Sequence, residues 1–151
     1  MAHMQTFDGP FMPGAGPSVR LRAVAFIEAP SETLADELAA AGSEIIQRLD
    51  GMVIAAFGSA EAALRTCASL PGDARVGLSC GDVLYENGAL HGLPVIEASR
   101  LRDIATPGQI LCAARLVRAG DLPAASFRSV GSIAIRGLVA ALPVCEMLRT
   151  G

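Results

Sequence analysis

Gly92-Leu93-Pro94-Val95-Ile96-Glu97-Ala98-Ser99-Arg100-Leu101 is the stretch whose reading decides the fold. A turn at Glu86-Asn87-Gly88 leads towards it, and Pro107-Gly108 forms a second turn after it. Between those breakers the pattern predicts a helix over about Leu93 to Ile104. Within it Arg100 stands three residues from both Glu97 and Asp103, the helical spacing for a surface ion pair. Ile96 is a side chain suited to packing.

The rest of the chain is consistent with one folded domain. Its 151 residues are 52% hydrophobic and 18% charged, enough to bury a core and too apolar for disorder. The net charge is −3 with scattered basic residues, which argues against nucleic acid or an anionic membrane as the main partner. No apolar run approaches the roughly 18 residues needed to cross a bilayer. No charged-then-apolar start marks a signal peptide. Cys67, Cys80, Cys112 and Cys145 lie far apart in apolar company and are expected to be buried free thiols, not a metal set. That usage fits a reducing, cytoplasmic setting. All twelve basic residues are Arg, so any mechanism that needs a lysine is excluded. Asn87 is the single Asn.

Working outward, residues 1–18 are rich in Gly, Pro and Met and are expected to form a tail, with 19–151 as the domain and no role for His3. Val19 to Glu28 reads as a strand. Ser31 is a candidate N-cap for a helix through Ala41, with Leu34 and Leu38 inward. Glu44–Leu49 and Met52–Phe57 flank Asp50-Gly51, the strongest hairpin signal in the chain. Ser59 caps a helix to about Leu70, with Ala63, Leu64 and Cys67 inward. Arg75–Ser79 and Asp82–Tyr85 read as a strand pair turning at Cys80-Gly81, with Asp82 as a strand-start residue. Gln109–Cys112, Ser126–Ile135 and Pro143–Leu148 read as strands, and Ala113–Ala119 as a short helix. His91, beside a turn glycine, reads as a surface or interface residue. Strands alternating with helices, plus hairpins, indicate an α+β sandwich with helices packed on one sheet.

From about Glu44 to Leu148 the order of motifs resembles a class III adenylate/guanylate cyclase homology domain. The opening stretch is similar to that family's signature helix, Gly-x-x-Val-Asn-x-Ala-(Ala/Ser)-Arg. The segment Glu44 to Gly51 followed by Ala55-Ala56-Phe57 resembles the family's Lys-Thr-x-Gly-Asp hairpin. Arg75-Val76-Gly77-Leu78 with Gly81-Asp82-Val83 resembles its Arg-x-Gly-x-x-x-Gly-Asp/Glu-Val strands. Thr106-Pro107-Gly108-Gln109-Ile110-Leu111 resembles the Gly-Gln-Ile/Val strand, and Arg136-Gly137-Leu138 the terminal Lys-Gly-Leu segment. The resemblance implies a ferredoxin-like fold, with a central, mostly antiparallel sheet and helices packed against it. It also implies head-to-tail pairing, as a homodimer or with another cyclase-type domain. Before the hairpin, cyclase domains usually carry two helices; here there is room for one.

The resemblance further implies a site, and this chain departs from it residue by residue. Cyclisation needs two divalent metals, Mg²⁺ or Mn²⁺, on two Asp. Phe26 occupies the first position, with Glu28 two residues on. Gly51 falls on the second, and a one-residue slip would offer Asp50 as the metal ligand. The base-selecting Lys and Asp correspond to Gln47, which retains a purine-binding amide, and Ala89, which has no polar group. Ile96 replaces the ribose-orienting Asn. Arg100 matches the transition-state arginine, and Arg136 a phosphate-binding lysine. The leading expectation is a catalytically silent cyclase-like domain used for dimerisation or regulation, with no cofactor. The alternatives are a diverged active nucleotidyl cyclase, a nucleotide or anion sensor without catalysis, and a partner-binding domain of a larger signalling protein.

Overall fold

Strand β1 (Ser18–Glu28) is buried on both faces from Ala23 to Ile27, which is why its sequence is a continuous apolar run without alternation. In this computed structural model residues 18–29, 33–49 and 51–149 are described. Residues 1–17 of the expected tail, the N-cap candidate Ser31 and the metal candidate Asp50 lie outside the described residues, whereas Ser18, expected in the tail, opens β1 by pairing with Tyr85.

Around β1 the chain builds β2 (Ile45–Leu49), β3 (Met52–Phe57), β4 (Arg75–Glu86), β5 (Ala89–His91), β6 (Ile110–Ala113), β7 (Phe127–Ile133) and β8 (Leu142–Met147). The sheet order is β2-β3-β1-β4-β6-β8-β7, with β5 paired to β4. Every pairing is antiparallel except β4 with β6. Helices are α1 (Leu34–Ala40), α2 (Ala60–Ala68), α3 (Leu93–Ile104) and α4 (Ala114–Ala119). The expected mostly antiparallel α+β sheet is therefore present.

Strand alternation sorts the core into two layers. Ala23, Ala25 and Ile27 of β1 join Leu34 and Leu38 of α1, Leu64 and Cys67 of α2 and Leu116 of α4. Val24 and Phe26 point the other way, into a cluster with Ile54, Val83 and Ala98 of α3. Leu101 of the same helix anchors a third cluster with Leu111, Ile135 and Val144. Among the described helices, α3 alone thus covers that face of the sheet.

Two turn signals hold. Leu49 pairs with Met52 across Asp50-Gly51, with Gly51 at φ +68°. Asn87 and Gly88 take φ of 53° and 76° and close the β4–β5 hairpin, so β5 precedes α3 where the sequence suggested a direct lead-in. Ser59 caps α2, its Oγ accepting the Ala62 N–H at 3.0 Å.

The expected turn at Cys80-Gly81 is absent. β4 runs through it and pairs with β1 continuously from Arg75↔Glu28 to Tyr85↔Ser18. Gly81 has φ +149°, and a Cβ there would sit 2.9 Å from Cγ of Pro94. The glycine serves a strand that another element approaches closely, not a reversal.

Gly77, also in β4, fixes how α3 lies. A Cβ there would be 2.0 Å from the carbonyl oxygen of Ala98 and 2.4 Å from the amide nitrogen of Arg102. Both are backbone atoms, so relief requires moving the helix. Gly77→Ala is expected to destabilise the fold by about 3 kcal/mol or to prevent folding. Urea-denaturation midpoints of the two proteins check this, and equal midpoints would refute it.

Cys67, Cys80 and Cys112 are buried free thiols, as expected, and Cys145 is half-buried. Burial pushes the Cys67 thiol up to about 12 and the Cys112 thiol well above its ordinary range. Burial also raises Cys80, although the nearby Arg115 guanidinium opposes it. A thiol whose folded pKa exceeds its unfolded value stabilises the fold fully below the unfolded pKa and progressively less above it. Thermal melts are therefore expected to show these thiols lowering the melting temperature only above about pH 9. At neutral pH a thiol reagent should label Cys145 ahead of the other three until denaturant is added; rapid native labelling of Cys67 or Cys112 would contradict the burial.

Candidate functional site

The outer face of α3 carries the side chains that the sequence singled out. Ile96 is 50% exposed, although its chemistry suits a core. Arg100 is exposed one turn further on, and its Nη1 lies 3.9 Å from Asp103 Oδ2. Of its two candidate partners, the helix geometry gives it Asp103 and not Glu97. Gln47 on β2 comes next to Ala89: its Oε1 accepts the backbone N–H of Leu90 at 3.0 Å. This bond joins Gln47 to the residue that follows Ala89 on β5. Arg136 is exposed in the turn after β7, beside Gly137 at φ +90°. Among the described residues no hydrogen bond or ion pair links Arg100, Arg136 and Gln47 to one another.

At the C-terminal end of β1 the implied metal locus has different contents. Phe26 is buried in the α3-side core. Glu28 Oε2 pairs with Arg75 Nη1 at 3.1 Å, and its Oε1 with Arg102 Nη1 at 3.0 Å. Arg102 also holds Asp103 at 2.9 Å. The Arg75 guanidinium donates to the carbonyls of Ala105 at 2.8 Å and Asp103 at 3.1 Å, closing the end of α3. A carboxylate bridged by two guanidinium groups is a poor ligand for a hard divalent cation, which would have to displace both. Among the described residues no group of three or more His, Cys, Asp or Glu could hold a metal ion. At this end of β1, Phe26 supplies no oxygen ligand and the Glu28 carboxylate is engaged by two arginines.

A second polar cluster lies beneath α3. Glu97 is only 3% exposed. Its Oε1 accepts from the Ser79 hydroxyl at 2.7 Å and from Arg115 Nη2, and its Oε2 accepts from Arg115 Nη1 at 3.3 Å. Arg115 Nε donates to the Cys80 carbonyl at 2.8 Å, and Nη2 also reaches Ser79 Oγ at 2.9 Å. One ion pair thereby ties α3, β4 and α4 together. Sequence reasoning placed Glu97 on the surface. The available signal was periodicity: Pro94, Glu97, Ala98 and Leu101 form the buried stripe of α3. The partner Arg115, 18 residues away, was not legible.

Solved structures share this architecture. An adenylate/guanylate cyclase/hydrolase from Silicibacter pomeroyi superposes with a TM-score of 0.73 at 24% identity, covering 89% of this chain and 99% of that one. The guanylyl cyclase Cya2 gives 0.71 at 14% identity, covering 90% and 95%. The adenylyl cyclase CyaB from P. aeruginosa gives 0.67 at 17%, covering 90% and 97%. The chain has the nucleotidyl cyclase fold. At these identities the likeness establishes the fold alone. The sequence matches no protein-family model and no curated protein. Helix α3 carries the stretch that resembles the cyclase signature helix, and Gly77 lies in the strand beneath it. Among the described residues no helix is long and apolar enough to cross a membrane.

Removing the buried carboxylate should expose its structural weight. Glu97→Ala leaves Arg115 and Ser79 without their acceptor and is expected to cost about 2 kcal/mol. The melting temperature should fall by roughly 4–8 °C for a domain of this size. An unchanged melt would show that the cluster contributes nothing net.

Proposed function

We propose that this chain is a catalytically silent cyclase-fold domain that acts as a dimerisation or regulatory module. The observation that carries the reading is Glu28, whose carboxylate is bridged by Arg75 and Arg102 at the locus where a cyclase needs metal. The outward face of α3 supports it, with Ile96 at the catalytic Asn position. Leu93, Ile96 and Ile104 are 43%, 50% and 52% exposed, a spacing suited to contact with a second chain, either a further copy or another cyclase-type domain. A diverged active cyclase would have to recruit Asp50 and free Glu28 from two ion pairs.

The test is incubation with Mn²⁺ and ATP or GTP, followed by assay for cyclic nucleotide. No product above background is expected. Turnover that Arg100→Ala abolishes would overturn the reading. In sedimentation, the wild-type chain should self-associate, or associate when mixed with a cyclase-type domain, and Ile96→Asp should weaken that association at least tenfold.

A second reading keeps nucleotide or anion binding without reaction. It is favoured by Arg100 and Arg136, two exposed guanidinium groups at positions matched to phosphate contacts, with Gln47 on the base side. A thermal-shift screen of nucleotides reads it directly, because a ligand that binds the folded state raises the melting temperature. No shift in the wild type, or a shift that survives Arg100→Ala with Arg136→Ala, would remove it.

A further inference from the structure

A cavity of about 300 Å³ opens between the start of α3, the first turn of α4 and the segment entering β8. Leu93, Leu138, Leu142 and Pro143 supply apolar wall, while Glu97 and Arg115 supply the polar part. Neither Gln47, Arg100 nor Arg136 lines it, so it is separate from the positions matched to the cyclase site. Its volume sits at the lower end of the roughly 300–1,000 Å³ typical of small-molecule sites.

The hydrogen-bond inventory selects the ligand. Glu97 Oε1 is engaged by both Ser79 and Arg115, whereas Oε2 accepts only from Arg115 Nη1 at 3.3 Å, leaving one acceptor position on Oε2. Arg115 commits Nε to the Cys80 carbonyl and both Nη2 protons to Ser79 and Glu97. One Nη1 proton is spent on Glu97, so one N–H remains, on a side chain that is 35% exposed. One acceptor position and one N–H of an ion pair of zero net charge, both of whose residues line the cavity, are therefore not committed to protein groups. A carboxylate ligand would meet the Glu97 oxygen, and an ammonium ligand the guanidinium; both are repelled. A neutral edge with N–H beside C=O satisfies both groups at once, and the apolar walls take a ring or short aliphatic body.

We propose that this cavity binds a neutral small molecule with a cis-amide edge, a lactam or a lactam-bearing base, through Glu97 Oε2 and Arg115 Nη1. The test is saturation-transfer NMR on the full chain with four probes: ε-caprolactam, uridine, cyclohexanecarboxylate and cyclohexylammonium. Caprolactam should give saturation transfer, and the two charged probes should give at least fivefold less. Uridine separates the two sources: a signal equal to or above that of caprolactam points to a base, and a weaker one to a free lactam. Ala141→Trp, at the exposed rim, fills the cavity without touching the ion pair and should remove the signal while the melting temperature holds; Ala140→Trp serves if that variant does not fold. Glu97→Gln should abolish the discrimination against cyclohexanecarboxylate. Equal signals from the lactam and the charged probes, no signal from either amide probe, or signals that persist in the filled variant would overturn the proposal.

Discussion

The close approach of α3 to β4 at Gly77 sets the positions of almost everything else of interest. Where a Cβ would stand, the helix backbone at Ala98 and Arg102 already sits. That contact brings the inner stripe of α3 onto the sheet, so Glu97 meets Ser79 and Arg115. It also puts Arg102 within reach of Glu28. The same rotation leaves Ile96 and Arg100 facing outward. A helix packed further away would lose both the Glu97–Arg115 and the Glu28–Arg102 pairs, leaving the Glu97 carboxylate without its partner and Glu28 with Arg75 alone.

The polar groups around α3 are committed to joining elements of the fold. At the end of β1, a carboxylate that could approach a cation is instead neutralised by two arginines, one of which also caps the helix. Arg suits this role because its fork donates in several directions at once and does not lose its charge. The absence of lysine throughout the chain is consistent with reliance on planar, multidentate contacts. Charge is thereby spent on joining elements together, while an apolar residue occupies the outward position on α3.

Much of the fold was legible. The Asp50-Gly51 and Asn87-Gly88 turns, the Ser59 cap and the limits of α3 all follow from local backbone chemistry, which needs only neighbouring residues. The order of motifs led to the cyclase fold because each motif marks a place where backbones cross closely or turn sharply. The misreading at Cys80-Gly81 has the same root. Glycine signals unusual φ or close approach, and a single chain does not say which. The strand continued because eleven consecutive residues of β1 were available to pair with it.

What the sequence determined by itself was most of the elements and their order, together with the residue types at the positions that the resemblance singles out, since these are properties of residue type and spacing. What only the tertiary structure decided was how the charges combine. Glu97 was assigned outward by proximity to Arg100 and proved to be buried against Arg115. Glu28 proved to be shared by Arg75 and Arg102, 47 and 74 residues away. Ion pairs over such distances depend on sheet order and helix rotation, which long-range packing fixes and local sequence does not encode.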